Sequence, residues 1–194
     1  MKLLTVPQIA RTWWNGSAHA IANARRRLAA LERQGMVRTC TVFSHPELPL
    51  QAPLCIWTPN QVAPNFEELS YQLSSRWTEP FHPVTAVIAT RAAANHFGGY
   101  GARFPKQIEE NHDVHLAAVF LTIRATRPGW AEHWLSEQQI RRSRPDAPGE
   151  KLPDAMVKMG GLVRVIDFGG SYSAPKLRGF HHWASENNLA YELW

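Results

Sequence analysis

Four arginines crowd one short stretch: Arg25, Arg26 and Arg27 in a row, then Arg33. They share residues 17–37, SAHAIANARRRLAALERQGMV, with His19 and Asn23, and Glu32 is the one carboxylate there. A guanidinium donates paired hydrogen bonds to phosphate, and Arg and Asn side chains match base edges in the major groove. Polyanion recognition is the chemistry these residue types offer. No Ser/His/Asp or Cys/His grouping stands out as an activated nucleophile.

Positioning those groups requires a helix. Ser17 supplies an N-cap hydroxyl, and Gly35 supplies the left-handed stop. Ile21, Ala24, Leu28 and Leu31 recur at three- and four-residue spacing, as a buried face does. His19, Asn23, Arg26, Arg27 and Arg33 then occupy the other faces, with Arg25 on the flank.

The flanking sequence fits the same unit. Thr5 is expected to cap a short helix through Arg11, with Pro7 in its first turn. Trp13-Trp14-Asn15-Gly16 breaks it, with Gly16 as the corner. Residues 36–42 and 54–58 read as two strands, separated by a proline-containing loop and closed by Pro59. Helix, turn, longer helix and hairpin is the order of a winged helix-turn-helix. Residues 1–60 are therefore read as a DNA-binding domain whose contacts are Ser17, His19, Asn23, Arg25, Arg26, Arg27 and Arg38.

Charge placement agrees. The net charge is +5, and residues 1–60 hold seven basic groups against two acidic ones. The other 134 residues are balanced, with fourteen of each sign. A polyanion-binding module joined to a neutral one has this asymmetry. Duplex DNA is the expected partner, with a homodimer and a protein partner at the C-terminal domain as further candidates. Cys40 and Cys55 sit in no metal-ligand spacing, and no apolar run is long enough to span a membrane. The expected compartment is the cytoplasm.

Residues 61–106 read as a helical connector, with an amphipathic helix over 66–77 and a second helix over 84–97. GGYGARFP is glycine-rich but lacks the Lys-Ser/Thr of a phosphate-cradling loop. A largely buried helix follows over 107–125, Ile108 included. After it come a strand at 130–135, a short helix at 137–142 and a polar loop at 142–150. Strands at 154–159 and 162–168 flank Gly160-Gly161, a strong hairpin signal. A helix at 173–187 and a strand at 189–194 close the chain.

That order resembles the PD-(D/E)XK nuclease-like fold. The whole chain resembles the bacterial replication-relaxation family, in which a winged helix precedes such a module. The residues that carry the resemblance are Asn111-His112-Asp113, WLSEQQIRR, Pro153-Asp154-Ala-Met-Val and Val165-Ile166-Asp167-Phe168-Gly169. Residues 60–106 match only loosely. The resemblance implies DNA binding in plasmid replication, relaxation or mobilisation. The expected class is α+β: a winged helix-turn-helix (1–60), the connector (61–106) and a PD-(D/E)XK-like α/β module with a small mixed sheet (107–194).

Active enzymes of the resembled fold hold Mg²⁺ between an Asp and an acid on the next strand, with a lysine two residues further on. Mg²⁺ prefers such oxygen ligands and would stabilise charge on phosphate. Asp154 and Asp167 match the acids, with Glu109 or Glu110 from the preceding helix as a third and His112 as another candidate. Gly169 stands at the lysine position, a serious departure, which leaves Lys158, Arg164 or Lys176 as substitutes. The module is accordingly expected to be degenerate, with Asp154 and Asp167 as structural hydrogen-bonding groups. The alternative is a metal-dependent endonuclease or nickase using Asp154, Asp167, Glu110 and Lys158.

Overall fold

The computed structural model describes residues 2–15, 17–101, 103–143 and 152–194. Gly16, and most of the loop expected at 142–150, lie outside the described residues. The described residues form eight helices and two sheets, a mixed α+β protein. No described helix is long and apolar enough to cross a membrane.

The chain divides into two compact units, and each is built from two stretches of sequence. Met1–Glu47 with Glu79–Leu121 form one, and Leu48–Thr78 with Thr122–Trp194 form the other. Their boundaries do not coincide with the expected ones at 60 and 106.

The first unit opens with β1 (Leu4–Thr5), α1 (Val6–Trp14) and α2 (Ala20–Arg33). Thr5 caps α1 by a reciprocal box: its hydroxyl accepts the Gln8 N–H, and the Gln8 side chain accepts the Thr5 N–H. The helix runs past Arg11 through both tryptophans and ends at Asn15 in the left-handed region, φ 46°. β2 (Val37–Ser44) follows α2.

Two expectations fail in this unit. The strand after β2, β3 (Cys55–Trp57), does not pair with it. The partner of β2 is instead β4 (His82–Ala89), most of which was expected to be helical. HPVTAVIA is rich in β-branched residues, and an antiparallel neighbour completes its hydrogen bonding. Only Arg91–Phe97, α4, is helix there.

The resulting sheet has the order β1-β4-β2, with Leu4 opposite Val87 and Val37 opposite Ala89. Alternation along β4 sends its side chains to two faces. Val87 packs with Val6, Ala10, Ala20, Ala24 and Leu28 of α1 and α2. Ala86 and Ile88 pack with Leu3, Val42 and Val114, the last from α5 (Gln107–Thr126). Ile108 of α5, expected in the core, is 89% exposed.

The second unit holds β3, α3 (Phe66–Ser75), α6 (Pro128–Glu132), β5 (Trp134–Ser136) and α7 (Glu137–Ser143). Part of the expected strand at 130–135 is thus helix. β6 (Ala155–Met159), β7 (Leu162–Asp167), α8 (Ala174–Glu186) and β8 (Ala190–Leu193) complete it. Gly160 and Gly161 both have positive φ, as a two-residue hairpin turn requires.

Its sheet has the order β3-β8-β7-β6-β5, and the β7–β8 pair is parallel while the others are antiparallel. The parallel pair needs a crossover, which α8 provides. Leu73, Phe180, Tyr191 and Leu193 fill the core against Trp57. The buried Glu192 carboxylate on β8 is held by Arg127 through two bonds of 2.6 and 2.9 Å.

Candidate functional site

Two groups of residues bear on function, one in each unit. The first is the outer face of α2. Helix α2 begins two residues later than expected: His19 is the N-cap, without a side-chain capping bond, and Ser17 instead accepts the Ala20 N–H through its carbonyl. At the other end Met36 N–H reaches Leu31 O and Gly35 N–H reaches Glu32 O, with Gly35 at φ +69°. This closes the last turn without requiring a Cβ in the left-handed region.

Ala20, Ala24 and Leu28 form the buried face, while Ile21 and Leu31, expected beside them, are each more than a third exposed. His19, Asn23, Arg26 and Arg33 fall on one outward stripe by helical spacing, with Arg25 and Arg27 flanking it. All four arginines are exposed. Arg26 donates to the Asn23 side chain at 3.2 Å, and Arg33 to Ala29 O at 3.4 Å. Ser17 and His19 are exposed at the start of the helix.

The one acid of α2 is directed elsewhere. Glu32 Oε1 accepts both the backbone N–H and the hydroxyl of Thr39, each at 2.8 Å. Those bonds, the backbone one foremost, hold its carboxyl below the ordinary range. Among the described residues, no carboxylate lies within ion-pair distance of Arg25, Arg26, Arg27, Arg33 or Arg38. Arg38 on β2 lies over the Phe104 ring, 4.4 Å from its centre, and stays exposed. The face therefore carries unneutralised positive charge.

The second group lies where β6 begins and β7 ends. Asp154 Oδ2 accepts the Phe168 N–H at 2.8 Å, and Asp167 Oδ1 accepts the Asp154 N–H at 3.4 Å. Asp167 is 1% exposed, and the Tyr172 hydroxyl donates to it. Burial, then the charges of Asp167 and Asp154, hold that hydroxyl well above the usual phenol range. Lys176 Nζ sits 3.5 Å from the centre of the Tyr172 ring.

The remaining candidates have surroundings of their own. Glu110 belongs to the first unit, where it accepts the Phe43 N–H at 2.7 Å. Lys158 is exposed, four residues along β6 from Asp154, which at the usual strand rise is roughly 13 Å. Arg164 donates to Trp57 O at 3.4 Å. His112 belongs to the first unit beside Asp113, and His115 is buried against the carbonyls of Asn111 and Pro46.

Gly169, at the position of the resembled lysine, stands in a tight place. A Cβ there would lie 2.9 Å from both Cδ atoms of the buried Leu73 and 3.1 Å from Leu193 Cδ1. Both carboxylates already accept backbone N–H groups, and no third His, Cys, Asp or Glu joins them among the described residues.

Sequence reading missed Tyr172, whose only signal was its place five residues after Asp167. No protein-family model, curated protein or solved structure matches the chain.

Proposed function

We propose that the chain binds duplex DNA through the outer face of α2. In this reading it is a protein of the plasmid replication-relaxation or mobilisation type, and its second unit is a nuclease-like scaffold without catalysis. The observation that carries the proposal is the exposed set Arg25, Arg26, Arg27 and Arg33, with Glu32 diverted to Thr39. An arginine cluster with no carboxylate in ion-pair distance among the described residues, on a helix beside an antiparallel pair of strands, suits a groove flanked by phosphates.

Supporting the winged-helix part are the α1–α2 succession and the β2–β4 pair. Supporting the nuclease-like part is the mixed order of β5, β6, β7 and β8, with α8 between the parallel strands. Supporting its inactivity are the bonds that occupy Asp154 and Asp167, and the closed position at Gly169. Fluorescence anisotropy of a labelled duplex at several salt concentrations tests the DNA reading. Binding that weakens as salt rises is expected, because each phosphate contact releases counterions. Salt-independent binding, or none, contradicts it.

One observation favours a second reading, a metal-dependent nuclease: the two aspartates do converge. Plasmid incubated with the protein and Mg²⁺ or Mn²⁺ distinguishes the two. Intact plasmid fits the scaffold reading; cleavage lost on Asp167→Ala would replace it.

A further inference from the structure

A cavity of about 400 Å³ opens in the first unit, between α1, α2 and the sheet. Its origin is the packing of the two helices. Ala10, Ala20 and Ala24 let them approach closely at one place, where all three are buried. Beside that place the cavity opens over a floor made by Val37, Val87 and Ala89. Val37 and Ala89 are opposite each other in the β2–β4 register, so the floor is continuous. The volume falls within the range of small-molecule pockets, roughly 300–1,000 Å³.

Two features specify an occupant. The walls are apolar and aromatic: Trp13, Trp14 and Leu31 line the cavity, and Trp13 is 51% and Leu31 38% exposed. A flat hydrophobic body covering them would remove that surface from water. The charged lining residues among those described are Lys2 and Arg27, both cationic. Lys2 Nζ is already committed, 3.2 Å from Asp113 and 3.9 Å from Glu109. Arg27 has no carboxylate within ion-pair distance among the described residues. Its planar fork suits a carboxylate better than a point charge would.

We infer that this cavity binds a small amphipathic carboxylate, its flat apolar body against Trp13, Trp14 and Leu31 and its carboxylate on Arg27. The site is assayed on the full chain without DNA, so its failure and the failure of the DNA reading are separate results.

The probe is 1-naphthoate, with the neutral 1-naphthalenemethanol as its control, followed by calorimetry and by tryptophan fluorescence. The acid is expected to bind with a Kd tighter than about 1 mM. The alcohol is expected to bind about tenfold more weakly, as loss of a charge-assisted bond implies. Arg27→Ala should reduce the affinity for the acid to that for the alcohol. Ala89→Phe should fill the floor and abolish binding of both. Arg27 is exposed, so its variant tests the site even if Ala89→Phe fails to fold. Equal affinity for acid and alcohol, no binding up to about 1 mM, or unchanged affinity in either folded variant would overturn the inference.

Discussion

Asp154 and Asp167 hold each other's strand ends together. The Asp167 side chain accepts the backbone N–H of Asp154, and the Asp154 side chain accepts the N–H of Phe168, the residue after Asp167. The bonds tie the start of β6 to the end of β7, so these carboxylates act as strand clasps. In the scaffold reading they contribute to stability rather than to catalysis.

Asp167→Ala is therefore expected to destabilise the protein by about 2–3 kcal/mol. It leaves the half-buried Asp154 N–H and the Tyr172 hydroxyl without their acceptor. Urea unfolding at neutral pH measures this. A loss under about 0.5 kcal/mol, the range of neutral surface changes, would contradict the clasp. So would a wild-type melting temperature that Mg²⁺ raises and the variant's that it does not.

Tyr172 should make stability fall at alkaline pH. Its pKa is raised in the folded state by burial and by Asp167 and Asp154, above an unfolded value near 10.0. The unfolded chain therefore loses this proton first. The stabilisation is complete below that unfolded value and declines as pH rises above it. The slope per proton is about 1.4 kcal/mol per pH unit. Tyr191, also raised by burial, adds a parallel decline. Tyr172→Phe should remove one proton's share of the slope in urea titrations above pH 10; an unchanged slope would show that Tyr172 titrates normally.

Parts of this arrangement were legible in the sequence because they are local. The arginine cluster with its single nearby acid, the Gly160-Gly161 turn and the Thr5 cap each depend on a few neighbouring residues. What was not legible depends on distant partners. Residues 55–57 read correctly as a strand, but only the fold shows that β3 pairs with β8 rather than β2. Residues 84–89 read as part of a helix because a short apolar run does not declare its period, and β2 settled it. Asp154 and Asp167 were placed on neighbouring strands, yet their exchange of backbone bonds and the Tyr172 contact depend on side-chain direction. Gly169 was a visible departure from the resembled motif; the Leu73 side chain beside it comes from a helix nearly a hundred residues away.

Arg27 belongs to both proposals, which couples them. A carboxylate on its guanidinium withdraws one cation from a phosphate. Saturating 1-naphthoate should weaken binding to a labelled duplex by about fivefold or more, near the lower end of ordinary coupling between sites. The alcohol should have no such effect. Equal weakening by acid and alcohol would show that Arg27 does not connect the two.

The central claim is that the arginines of α2 grip the phosphates of a duplex. Its most direct measurement is the slope of log affinity against log salt, by anisotropy, for the wild type and for the triple variant Arg25→Ala, Arg26→Ala and Arg27→Ala. The account predicts weaker binding by the variant, with a slope shallower by about 2–3, since each lost phosphate contact removes close to one. The same affinity and the same slope in a folded variant would contradict it.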